Sequence, residues 1–443
     1  MITKTPNFKI ILKRTLYAFL IILLLLITWV AFAIYHDESP DIGRDDFYAL
    51  SPKNVPDNQN IAVAISGINA PLGTDIFKHG RFAIDTFFKI EGGAEAKKIV
   101  DAASNLAFVG NSNEFDCWLD YPIEEAKESC ASAKRIKFLL VENKELLARY
   151  ASLADMPSSS GTMTGNGQLL INLNRLLAAE IKLDIEEGNS ELAYSKWLKN
   201  HLIINHIFQQ ESTAIEHAIF LVIDGFNLYA LENLLFKSHE IGIKHFEELQ
   251  TILKPTNLER YNLAGMVRAE YTFVSTEFFK QHNQELKKMH VKENYLHPEF
   301  IRNRLYHAHM DFLNSAQKPP ATFRTSSVEM YKKHGVTTMS VFDYYWLDPL
   351  NSVLSKMLTG GFIKSLSLVS SMHAKSALIS SLNLSLKIKQ QKIATSNIQA
   401  FLNRAGKQYD CPFTNQPMQF DAQENIIFCE NPETKNHVAE VRL

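Results

Sequence analysis

Residues Leu16 to Tyr35 read LYAFLIILLLLITWVAFAIY, twenty positions without a charge. A helix rising about 1.5 Å per residue over that length covers the roughly 30 Å hydrocarbon core of a bilayer. Lys4, Lys9, Lys13 and Arg14 precede the run, and Asp37, Glu38 and Asp41 follow it. The positive-inside rule keeps the N-terminus cytoplasmic and sends everything after His36 across the membrane. Trp29 and Tyr35 fall near the far end, where interfacial aromatics belong. Ala31-Phe32-Ala33 resembles a signal-peptide cleavage site, but the apolar run exceeds the usual 7–15 residues of a cleaved signal. The expectation is an uncleaved anchor and a single-pass topology. The next most apolar stretch, Ala218 to Leu235, carries Asp224, Asn227, Glu232 and Asn233 and reads as a buried core helix.

Composition narrows the class. The chain has 443 residues, 46 % of them apolar, with 46 basic and 48 acidic side chains. That balance excludes a disordered chain and a binder driven by global basicity, so no nucleic-acid partner is expected. Mean hydropathy of −0.12 excludes a polytopic transporter. Gly (18) and Pro (15) are scarce, which points to helices joined by short connections.

The four cysteines fit an exported domain. Three pairings are possible in principle. Cys117 with Cys130 and Cys411 with Cys429 are favoured, because export makes disulfides available and each pair is close in sequence. A four-cysteine zinc site normally shows C-x₂₋₄-C spacing, which neither pair has.

The spacing predicts a mainly α fold: a transmembrane helix, an irregular multi-helix exported domain and a small C-terminal β-hairpin. The expected division is a stub over 1–15, the anchor over 16–35 and a tether with one short helix over 36–59. A helical domain over 60–405 follows, with an internal boundary near 157–167, and a disulfide-tied tail over 406–443. Leu170, Leu173, Leu177, Ile181 and Ile185 recur every three or four residues, as on one face of an amphipathic helix over 168–187. A partner helix is expected over 191–209, and a helix apolar on nearly all sides over 212–237. Further helices fit 122–140, 143–153, 243–253, 257–279, 300–313, 328–334 and 349–389, the last broken at Gly360-Gly361. Candidate loops are 157–167, 282–297 and 316–325. No fixed repeat or sustained heptad is present.

Several phrases together resemble a group of single-pass, exported bacterial proteins without an assigned activity. Asn69-Ala70-Pro71-Leu72-Gly73-Thr74-Asp75 with Gly80 is similar to that group's "aP-x-G-x-D…G" segment. Leu146-Leu147-Ala148-Arg149-Tyr150, with Leu153 and Pro157, is similar to its "LLaRY…L…P". Asp348-Pro349-Leu350-Asn351 is similar to its "NP-v-G" helix start, and the tract from Cys411 to Phe428 to its "NP-Y-T-G-x-P…D…l-F" tail. Asn351 stands where the group has Gly, and Cys411 and Asn415 stand where its tail has Asn or Asp and Gly. The resemblance implies a bacterial inner-membrane protein with its bulk in the periplasm, and no chemistry.

Recognisable catalytic signatures are absent: no G-x-S-x-G elbow, H-E-x-x-H, Walker loop or dinucleotide fingerprint. Ser315-Ala316-Gln317-Lys318 matches S-x-x-K without the companion motifs. His201, His206 and His217, and His307 with His309, lack the i, i+4 spacing of paired helical ligands, so no metal or other cofactor is expected. Asp224 and Glu270 are carboxylates inside apolar helical patterns, and Arg149 closes the most motif-like phrase. These three are the candidate catalytic residues. The competing reading is structural: buried carboxylates paired with Arg, Tyr or a helix terminus, and Arg149 on a helix C-terminus. The functional expectation is a binding or assembly role in the cell envelope, with an envelope protein as a possible partner. An acid/base enzyme and a carrier of an apolar or amphiphilic ligand are the alternatives.

Overall fold

The computed structural model describes residues 17, 19–25, 28, 39–49, 55–89, 93–104, 106–119, 130–156, 163, 165–255, 258–273, 297–334, 363, 365–432 and 436–443. The chain is mainly helical, with a small antiparallel sheet near the C-terminus. It divides into two compact units, one drawn from 1–49, 274–312 and 327–364, the other from 50–273, 313–326 and 365–443.

Within the first unit, the short helix Arg44–Tyr48 lies where the tether was expected to carry one. It docks on the helix that begins at Pro298. Tyr48 Oη shares a 2.7 Å hydrogen bond with His309 Nδ1, and Arg44 bonds Asn303 (2.7 Å) and pairs with Glu299 (2.6 Å).

Most of the expected span at 16–35 lies outside the described residues. Tyr17, Phe19 to Leu25 and Thr28 are helical, and the apolar side chains among them are exposed. The expected N-terminal transmembrane helix therefore has no support as a described element. The described helix long and apolar enough to cross a bilayer is Ala214–Lys237, and 72 % of its apolar window is buried inside the fold. It behaves as the core helix that its internal Asp, Asn and Glu residues imply.

The second unit is built around that helix. Its labelled helices are α1 (Ile61–Ser66), α2 (Ile76–Lys89), α3 (Lys144–Ser152), α4 (Gly167–Glu186), α5 (Ser190–Phe208), α6 (Ala214–Lys237), α7 (Leu263–Phe273) and α8 (Leu366–Gln390). The helices expected over 168–187, 191–209 and 212–237 are α4, α5 and α6. They pack on one another, and α8 packs on α6.

Helix α4 departs from the expected single apolar stripe. Ile181 and Ile185 join the main core with Trp197, Leu228 and Leu382. Leu176, Ala179 and Leu183 face a second cluster with Phe115, Ile136 and Leu139. Small Ala178 and Ala179 let neighbours approach a face that periodicity alone does not mark. The helix expected from 122 starts at Ala133 among the described residues, and 120–129 lie outside them. The stretch expected as one helix over 243–253 is two short ones, His239–Lys244 and Phe246–Ile252. The Gly360-Gly361 break and the loop at 282–296 also lie outside the described residues.

Helices α1 and α2 cross at glycine. A Cβ on Gly80 would overlap the Val63 carbonyl, and one on Gly67 would overlap the Ile76 carbonyl. This backbone-on-backbone crossing leaves no room for the smallest side chain.

The tail carries three strands where a hairpin was expected. They are β1 (Gln419–Asp421), β2 (Ile426–Glu430) and β3 (His437–Arg442), in the order β1-β2-β3. Phe420 pairs with Ile427, and Ile427 with Val441. Ile427, Ala439 and Val441 face the main helical core, beside Phe413 and Met418. Cys411 is bonded to Cys429 and Cys117 to Cys130, with Cα separations of 5.4 and 5.8 Å. Asn415 takes φ 53°, a left-handed turn conformation that Asn tolerates where Gly is the usual choice.

Gly80→Ala is expected to lower stability by about 1–3 kcal/mol through overpacking. Urea unfolding followed by circular dichroism measures this, and an unchanged midpoint would remove the tight crossing.

Candidate functional site

Helix α6 begins with a capping box. Thr213 Oγ1 accepts from the Glu216 backbone N–H at 3.4 Å, and the Glu216 carboxylate accepts from the Thr213 N–H. The Thr213 hydroxyl also donates to Glu216 Oε2 at 3.0 Å. A box of this kind satisfies orphan N–H groups of the first helical turn. A third donor, the Met163 N–H, reaches the other Glu216 oxygen. The next orphan donor, Ala214 N–H, bonds Glu270 Oε1 at 2.7 Å, and Glu270 comes from α7. Two carboxyl groups thus meet at one helix start.

Both groups line a cavity of about 330 Å³. Its apolar wall includes Ile65, Phe87, Leu170, Ile215 and Ile219, and its described polar lining is Asn166, Thr213, Glu216 and Glu270. Gly167 sits where a Cβ would lie 2.5 Å from Ile219 Cδ1, so the start of α4 closes tightly on α6. Asn166 fixes this approach from before α4, donating to the carbonyls of Ile65 (2.9 Å) and Ser66 (3.2 Å). The expected loop at 157–167 therefore contributes Met163, Gly165, Asn166 and Gly167 to the wall, while 157–162 and 164 lie outside the described residues.

Burial pushes the Glu216 carboxyl up to about 7, against its three hydrogen-bond donors, and the neighbouring Glu270 charge adds to the rise. Burial raises Glu270 as well, and its bond from Ala214 only partly offsets this. An apolar pocket with two carboxyl groups of elevated pKa can hold a proton at neutral pH or compensate a positive charge.

The three expected catalytic residues do not converge. Glu270 lines the cavity, but Asp224 and Arg149 do not. Asp224 is fully buried on α6, and its Oδ1 accepts from Arg260 Nη2 at 2.8 Å. Arg260 also donates to Asn205 (2.9 Å), whose amide meets His201 Nε2 (2.7 Å). From α8, the half-buried Lys375 faces Asp224, with desolvation lowering its pKa and the carboxylate opposing that. Asp224 thus belongs to a polar cluster apart from the cavity.

Arg149 also has partners outside the cavity. Its guanidinium donates to the carbonyls of Ile68 (3.0 Å), Ala70 (2.7 Å) and Pro71 (3.3 Å), and it pairs with Glu145 (2.8 Å). Two of the phrases quoted above are thereby tied together: the arginine of one holds the turn carbonyls of the other. Tyr150 packs in the core and donates to Asn200 Oδ1 at 2.8 Å.

The expected histidines have other partners. His217 spans Ser212 (2.9 Å) and the Tyr261 carbonyl (2.8 Å), and burial holds His201 well below its usual range. Among the described residues no group of three or more His, Cys, Asp or Glu is placed to hold a metal.

Sequence reasoning missed Glu216. The signal that could have found it is the T-x-x-E spacing of Thr213 and Glu216 ahead of an apolar helix.

Two outcomes are expected. Asp224→Asn removes the counter-charge of Arg260 and is expected to cost about 3–5 kcal/mol of stability in urea unfolding. For Glu216, the folded value near 7 exceeds the ordinary 4.5. The unfolded chain ionises first as pH rises, so this group's stabilisation is full below 4.5 and is lost by about 7. The stability difference between the natural chain and Glu216→Gln is therefore expected to shift by roughly 3 kcal/mol over that window. A pH-independent difference would contradict the raised value.

Comparison with known proteins finds no match: no family model, no curated protein and no solved structure corresponds to this chain.

Proposed function

We propose that this chain is a membrane-anchored binding protein of the bacterial cell envelope that holds a small amphiphilic molecule in the Glu216–Glu270 cavity. The carrying observation is the cavity itself: about 330 Å³, walled by Ile, Leu and Phe side chains, with two carboxyl groups in its lining. That volume falls at the lower end of the roughly 300–1,000 Å³ usual for small-molecule sites, and an apolar wall with few polar groups is their common pattern. Anchoring through residues 16–35, with the remainder exported, is supported by the uncharged run and its flanking charges. The two paired disulfides are compatible with an oxidising compartment.

A second reading, an acid/base enzyme, draws on one specific observation. The Glu216 carboxyl near 7 stands beside a second carboxyl in the same pocket. A carboxyl whose burial raises its pKa toward neutrality is a recurrent general-acid device.

The binding reading is tested by filling the cavity. Ile219 is half-buried in its wall, and Ile219→Trp puts an indole into the space. The full chain in lipid nanodiscs is heated with short-chain alcohols, amines and acids. A ligand at a hundred times its Kd adds about 2.7 kcal/mol to stability. The natural chain is expected to gain thermal stability with at least one of these probes, and Ile219→Trp to gain none. Equal gains in both, or none in either, would refute binding at this cavity.

A further inference from the structure

We infer that the cavity selects a cation, an organic ammonium with a short apolar tail, and that Glu216 and Glu270 compensate its charge. This rests on the binding reading above and adds the sign of the ligand.

The described lining contains two acids and no Lys, Arg or His. The nearest basic residue on α7, Arg268, is engaged by Glu211 at 2.9 Å. The compensation that the two carboxyls do have comes from hydrogen bonds: the Thr213 and Met163 N–H groups and the Thr213 hydroxyl on Glu216, and the Ala214 N–H on Glu270. An aligned helix start supplies only about half a unit of positive charge. Two ionised carboxyls facing one apolar space exceed that; burial raises both groups, and the Glu270 charge adds to the rise at Glu216. An ammonium group in the cavity removes the imbalance, because an opposite charge within a few ångströms favours the ionised form.

The rest of the wall fits the same occupant. Glu270 receives the Ala214 N–H on Oε1 and lines the cavity beside Glu216. Phe87 adds an aromatic ring to the lining, and ring faces attract cations. Ile65, Leu170 and Ile219 offer a surface for an alkyl tail. A carboxylate ligand would meet two like charges, and an alcohol would leave both carboxyls uncompensated.

The test uses three probes that share a six-carbon tail: hexylamine, 1-hexanol and hexanoate. Each is titrated calorimetrically at pH 7.5 into the full chain in nanodiscs, with empty nanodiscs as the blank. Hexylammonium is expected to bind at least about ten-fold more tightly than hexanol, which corresponds to about 1.4 kcal/mol. Glu270→Gln is expected to reduce that preference to within about two-fold, a difference of roughly 0.4 kcal/mol. Because Glu270 also caps a helix start, a second variant that leaves this cap intact is used. Ile215 lines the cavity and is 73 % exposed, so Ile215→Lys adds a competing ammonium without entering the core. It is expected to abolish hexylammonium binding while leaving hexanol binding in place. Equal binding of hexanol by the natural chain would overturn the charge assignment and leave the cavity as a neutral site, and tighter binding of hexanoate would overturn it in favour of an anion. Binding of none of the three would overturn the assignment and the binding reading together.

Discussion

The second unit depends on burying α6, a helix enclosed on nearly every side that still carries Glu216, His217, Asp224, Asn227 and Glu232 among its buried residues. Buried polar groups cost several kcal/mol unless partnered, so these positions demand partners at stated points along the helix. The capping loop and α7 answer at the N-terminal end. The turn before α7 supplies the Tyr261 carbonyl to His217 and Arg260 to Asp224. Helix α5 supplies Asn200 to Asn227 at 3.0 Å, and β3 supplies Arg442 to Glu232 at 3.0 Å. Apolar burial is non-directional, so it holds these elements together without fixing their order around the helix. The polar residues act as register marks, because a slide of one turn would strand several of them at once.

This division of labour explains what was readable from the sequence. The 3.6-residue pattern of Leu170 to Ile185 and the continuous apolar character after Thr213 revealed α4 and α6 directly. Short α1, with the sequence Ile-Ala-Val-Ala-Ile-Ser, was not recognised. A six-residue apolar run has no period that separates buried helix from buried strand. The hairpin was legible from its turn residues, but β3 was not, although His-Val-Ala-Glu-Val-Arg alternates in burial once it pairs with β2.

The site was half legible. Glu270 stood out as a carboxylate among apolar neighbours, but so did Asp224, and local sequence cannot say which faces a cavity and which faces an arginine. That distinction depends on Arg260, 36 residues beyond Asp224, and on the closure of Gly167 against Ile219. Arg149 looked motif-like, and in the fold it holds a turn. A guanidinium that collects three carbonyls of one turn demands that residue type as strictly as a catalytic role would.

The pairing of Glu232 with Arg442 has a consequence for biogenesis. The two residues are 210 positions apart. A chain threaded N-terminus first delivers the carboxylate long before its guanidinium arrives. Until then β3 is missing and the face of the helical core that receives Ala439 and Val441 stays open to solvent. Vectorial synthesis thus imposes a waiting period on the nascent protein, during which that greasy face is open to the wrong partners.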